Sequence, residues 1–176
     1  VSDFRSTSSE RKTYAEIGGD FTLSSENGMV SLSDFRGQVV LLFFGYASCP
    51  DYCPAELARI ASTIRGLSKK NADQTWGIFV NVDPAKDTIE EVSAYARFFH
   101  EHILGLTGTI EEVRQVADRY FAFYEVVENE GSMGGYTIDH SLTVYLIGRD
   151  GRVAELIKPN WTISEISQAI RTELRR

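Results

Sequence analysis

The chain has 176 residues, 43% of them hydrophobic and 24% charged, which bounds it to one globular domain with room for a substantial core. Eighteen lysines and arginines against 25 aspartates and glutamates give a net charge of −7, a poor balance for binding nucleic-acid phosphates. Two cysteines exclude a disulfide scaffold, and three histidines leave few ligands for any metal.

In chain order, residues 1–12 are polar and read as a flexible leader, the remnant of a linker from a membrane anchor, with the folded domain over 13–176. Phe21-Thr22-Leu23 and Met29-Val30-Ser31-Leu32, separated by Asn27-Gly28, read as an N-terminal β-hairpin. The run 39–46 is continuously apolar, which suits a central strand buried on both faces and is far too short to span a membrane. Leu57, Ile60, Ala61, Ile64 and Leu67 recur at helical spacing. A second buried strand covers 76–82 and is broken by Asp83-Pro84; strand, helix and strand predict a parallel pair. A helix over 88–100 is capped by Thr88, and another begins at Thr109, with Glu111 and Glu112 favouring its N-terminus. Residues 131–135 form a glycine-rich loop, 141–147 a third strand, Asp150-Gly151 a turn and 153–157 the returning strand. The helix over 162–174 opens with Thr162 and Glu165 at capping-box spacing. The alternation predicts an α/β domain.

The chemistry concentrates in Gly45-Tyr46-Ala47-Ser48-Cys49-Pro50-Asp51-Tyr52-Cys53-Pro54, between a buried strand and a helix. In open α/β sheets ligands bind beyond the carboxyl ends of strands, and a helix N-terminus favours thiolate over thiol. A spacing of four lets Cys49 and Cys53 form a disulfide or hold one metal ion. The loop between them is too short for a structural staple to gain much. Two thiolates alone suit redox exchange; with an imidazole they suit a soft transition metal. His100 and His102 end a charged helix, where partial positive charge is welcome. His140 is a different case, set in Ile138-Asp139-His140-Ser141 after the glycine-rich loop. Either a metal-ligand role or a backbone-satisfied strand start fits it. Met133 reads as a flexible filler.

Residues 45–54, Val82-Asp83-Pro84-Ala85-Lys86-Asp87-Thr88, Gly105-Leu106-Thr107-Gly108 (as a turn) and Tyr136-Thr137-Ile138-Asp139-His140-Ser141 together, in this order, resemble the Sco (SenC-type) copper proteins. The resemblance covers about residues 20–175. It implies a thioredoxin-like fold, a central mixed β-sheet flanked by helices, with the N-terminal hairpin as an extension. It implies one copper ion, Cu(I) or Cu(II), held by Cys49, Cys53 and His140. The same cysteines would form a reversible, redox-active disulfide. Asp139 would support His140, and Asp83 and Asp87 would serve partner docking or, on their own chemistry, helix capping. The implied role is a copper chaperone, not a turnover enzyme, for the dinuclear copper site of cytochrome c oxidase. Its implied partners are the copper-centre subunit of that oxidase, other copper chaperones and thiol reductants. The alternative is a thiol-disulfide oxidoreductase or redox sensor. The implied setting is the periplasmic side of a bacterial inner membrane, or the mitochondrial intermembrane space. There the chain would be a monomer that meets the membrane only through an anchor.

Overall fold

The computed structural model describes residues 14–47, 52–122, 124–128, 136–140 and 143–176. The leader expected over 1–12 and Met133 lie outside the described residues. The hairpin is present as β1 (Thr22–Ser25) and β2 (Gly28–Ser31), antiparallel, with Gly28 at φ 120° where the chain reverses. A 3-10 turn over Leu32–Phe35 leads to β3 (Val39–Gly45), in which all seven residues are buried. α1 (Tyr52–Arg65) and a short α2 (Lys69–Ala72) connect β3 to β4 (Thr75–Asn81), which lies parallel to β3 as the crossover pattern predicts.

α3 (Ile89–Phe99) carries the chain to β5 (Ile103–Leu106), a third parallel strand at the sheet edge. This strand corrects the reading of Gly105-Leu106 as part of a turn. It has only four residues and contains a glycine, so it carries no strand signal of its own. The glycine is needed because a Cβ at Gly105 would stand 2.6 Å from the Val92 carbonyl oxygen of α3. After α4 (Ile110–Arg119), a second correction appears. The strand expected over 141–147 is shorter, and residues before it pair elsewhere. β6 (Tyr124–Glu128) and β7 (Tyr136–His140) form their own antiparallel pair. β8 (Val144–Ile147) and β9 (Val153–Ile157) then complete the main sheet, and α5 (Ile163–Leu174) closes the chain.

The five-stranded order is β5-β4-β3-β8-β9, with β8 antiparallel to both neighbours. Successive side chains of β3 point to opposite faces. Phe43 rings with Phe79, which meets Tyr95 of α3. Phe44 turns the other way, against Tyr120 after α4 and Tyr145 of β8. α1 packs beside α3 and α5. Burial pushes the Tyr145 phenol up to about 12, and Tyr120 further still.

Helix starts follow the sequence reading. Thr88 Oγ1 accepts the Glu91 N–H at 3.2 Å, and Thr109–Glu112 and Thr162–Glu165 form reciprocal capping boxes. Four helices, α1, α3, α4 and α5, each follow a strand that finishes at one common end of the sheet. They therefore all begin at that end and run back to the other.

Candidate metal centre

The common end where β3, β4 and β5 finish is where the cysteine segment leaves the sheet. Cys53 stands in the first turn of α1 and is wholly buried. A Cβ added at Gly45 would lie 2.7 Å from Cys53 Sγ and 2.9 Å from the Phe79 ring. The last residue of β3 must therefore be glycine for the sulfur to settle over the strand end. Cys49 lies outside the described residues; its chain leaves Gly45 and reaches Cys53 in four residues each way, at most about 14 Å.

The backbone entering that segment is pinned twice. The Ala47 N–H donates to Asn81 Oδ1 at 3.1 Å and to Asp87 Oδ2 at 3.0 Å. Two residues earlier, the Gly45 carbonyl accepts the Val82 N–H at 2.7 Å. Asn81 escaped the sequence reading; its signal was an amide closing an apolar strand, between Val80 and Val82. Asp87 was expected to cap the helix or meet a partner. It does not cap, because Thr88 does, and it is buried against the cysteine-bearing loop. Asp83 is buried too, and its carbonyl accepts the N–H groups of Lys86 and Asp87, which forms the turn into α3.

The third expected ligand comes from the neighbouring strand. In the β3–β8 register Leu42 faces Tyr145, so β8 begins beside the last residues of β3. His140 closes β7, opposite Tyr124, four residues before β8 and at most about 14 Å of chain from it. The topology thus brings the cysteine segment and the Asp139-His140 segment to one end of the sheet; the side chains of Asp139 and His140 lie outside the described set. A shallow groove lined by Ala47, Asp87, Glu91, Ala94 and Tyr95 borders this end.

The other two histidines are at the opposite end. His100 Nδ1 accepts the His102 N–H at 2.8 Å, and His102 stacks on Trp76 at 4.3 Å between ring centroids. Burial, His102 and Arg65 lower the pKa of His100, so it ends its helix as a neutral hydrogen-bond acceptor and not as the cation expected there. Among the described residues no three His, Cys, Asp or Glu side chains gather closely enough to hold a metal.

With that geometry in view, comparison with known proteins gives one answer. The SCO1/SenC family model matches residues 9–175. The chain belongs to the SCO1/SenC family. A SCO2-like protein of Rickettsia prowazekii is 35% identical over 159 residues, covering 90% of this chain and 77% of that one. The mitochondrial SCO1 homolog 1 of Arabidopsis thaliana is 32% identical over 92% of this chain, and this chain spans only 48% of its length. The crystal structure of Arabidopsis thaliana ScoI with copper bound superposes with a TM-score of 0.81 at 32% identity, covering 90% of this chain and 98% of that one. The SCO1/SenC fold is therefore the one described above, a mixed sheet with helices on both faces in the thioredoxin-like arrangement.

Proposed function

We propose that this chain is a copper carrier for the assembly of cytochrome c oxidase, taking one copper ion on Cys49, Cys53 and His140. The observation that carries the reading is the meeting of the two segments at one sheet end, in a family with a copper-bound structure. Two thiolates and one imidazole match soft ligation of Cu(I), and an added oxygen donor would suit Cu(II). Copper is cargo here. Cys53, seated over Gly45, supplies a fixed sulfur, while His140 ends the small β6–β7 pair outside the main sheet and is the ligand to release first. Asp139 supports His140. Asn81 and Asp87 fix the backbone at Ala47, two residues before Cys49 in the sequence.

A second reading uses the cysteines as a dithiol. Oxidation joins the two sulfurs and releases two protons and two electrons to the disulfide being reduced. It also removes the copper thiolates, so the two roles exclude each other at any instant. The family includes bacterial and mitochondrial proteins; for this chain we place the site on the periplasmic side of a bacterial inner membrane, with the oxidase copper subunit as recipient. No helix among the described residues is long and apolar enough to cross a membrane.

The deciding experiment is an anaerobic Cu(I) titration of the reduced chain against a competing chelator, with His140→Ala alongside. A one-to-one endpoint that weakens sharply in the variant supports delivery. Weak binding indifferent to His140 overturns it in favour of the dithiol reading, which reduction of a target peptide disulfide then checks.

A further inference from the structure

We infer that the end of the sheet opposite the cysteines is a docking face for an anionic phospholipid surface. The first observation is a polarity built by the fold. The helices α3, α4 and α5 all begin at the cysteine end and carry acids in their first turns: Glu90, Glu91, Glu111, Glu112 and Glu165. They end with Arg97, Arg119 and Arg171, and α1 ends with Arg65. Each placement favours its own helix dipole. Because the helices run the same way, the local preferences add to one molecular axis, acidic at the cysteines and basic at the far end.

The second observation is a concentration of cations that helix capping does not require. Lys70, Arg149, Arg171 and Arg175 converge on a cleft of about 370 Å³ between α2, the β8–β9 turn and the end of α5. Arg149 donates to the carbonyls of Gly37 at 3.0 Å and Leu174 at 3.3 Å, and to the main-chain oxygen of Arg176, the last residue, at 3.3 Å. Arg171 donates to the neutral amide of Gln168 at 3.1 Å. Lys70 and Arg175 are exposed and meet no carboxylate among the described residues. On the other side of the Gly37–Arg149 contact, Arg36 and Arg152 line a second cleft, but Asp20 and Asp150 line it too, so the excess of cations belongs to the first cleft.

These cations come from separate segments spread across a whole end, which suits a plane of many anions better than a single small one. Tyr14, the first described residue, lines the second cleft at this same end. The net charge of −7 does not cancel the attraction. The seven residues of β3 alone separate the two ends by roughly 20 Å, more than two Debye lengths of about 8 Å at physiological ionic strength. A surface touching the basic end does not feel the acidic one. Docked in this way, the chain would hold the cysteine end away from the lipid, open to soluble partners. The inference stands whether or not copper is the cargo.

The test is co-sedimentation of the chain with vesicles of phosphatidylglycerol and phosphatidylcholine, against phosphatidylcholine alone, at low and at physiological salt. Two double variants make the decision: Lys70→Gln with Arg175→Gln at the basic end, and Lys86→Gln, in the turn into α3 at the cysteine end, with Arg114→Gln. All four residues are exposed, and both variants remove the same charge. The expected result is salt-sensitive binding to the anionic vesicles only, weakened about thirtyfold by the first variant and little by the second. Absence of an anionic preference overturns the inference, as does an equal loss in both variants. Saturable binding of inorganic phosphate at Lys70 and Arg175, followed by amide shifts, without vesicle binding would make the cleft a small-anion site and also overturn it.

Discussion

Two ends of one sheet are held together by opposite means. Where β3 and β4 finish, buried acceptors, Asn81 Oδ1 and Asp87 Oδ2, converge on a single backbone N–H at Ala47, and a sulfur is fitted over a glycine. Where they begin, arginines at the surface reach across to main-chain oxygens: Arg149 to those of Gly37, Leu174 and the last residue, Arg176, and Arg36 to that of Asp150. The first arrangement fixes one atom at one place. The second joins several segments without fixing any of them closely, and leaves charge at the surface. A chain that must present ligands at one end and a broad face at the other has reason to build them differently.

The largest expected effect breaks the comparison at the sulfur. Cys53→Ser nearly preserves volume, and copper affinity falls by more than about a hundredfold, beyond the loss typical of a supporting residue; chelator competition reads it. Next is one substitution made at both ends. Gly45→Ala sets a Cβ against Cys53 Sγ and Phe79, costing about 1–3 kcal/mol of stability in urea melts and weakening copper binding as well. Gly37→Ala meets no atom within 4 Å but sits at φ 88°, so it costs roughly 1–2 kcal/mol from backbone strain and leaves copper affinity unchanged. If both glycines gave the same copper phenotype, the distinction between the ends would fail.

A smaller pair sharpens the point. Asp87→Ala removes one of the two acceptors at Ala47 and costs about 1–3 kcal/mol, with copper affinity down roughly tenfold. Arg149→Ala costs about 1 kcal/mol and leaves copper affinity alone. Smallest is the pH response at the basic end. The fold lowers the pKa of His100 and so favours its neutral form. Its contribution to stability is full above about 6.5 and declines as the pH falls below that, through the lowered value. NMR titration of the ring checks the direction, and an upward shift would contradict it.

Much of the sheet was legible because β3 is apolar throughout and the helix starts carry Thr88, Thr109 and Thr162 at capping positions. β5 was not legible, since its four residues include a glycine whose reason lies in the Val92 carbonyl of another element. β6 and β7 were hidden for a related reason: neither 124–128 nor 136–140 was read as a strand, and only their pairing with each other defines them. At the site, Cys53 was plain from spacing. Asn81 was not, because its partner at Ala47 lies 34 residues away and no local pattern encodes that contact.

That separate pairing of β6 with β7 has a consequence for exchange of amide hydrogens. The two strands form a sheet of their own, and a lone two-stranded ribbon is marginal by itself, whereas the amides of β3 belong to the buried centre of five strands. The pair is thus a cooperative unit of its own, opening at lower free energy than the main sheet. An ion shared by His140 of one unit and Cys53 of the other would weld them. Loading the chain with copper is then expected to slow exchange along Tyr124–Glu128 and Tyr136–His140 while leaving β3 and β4 as slow as before.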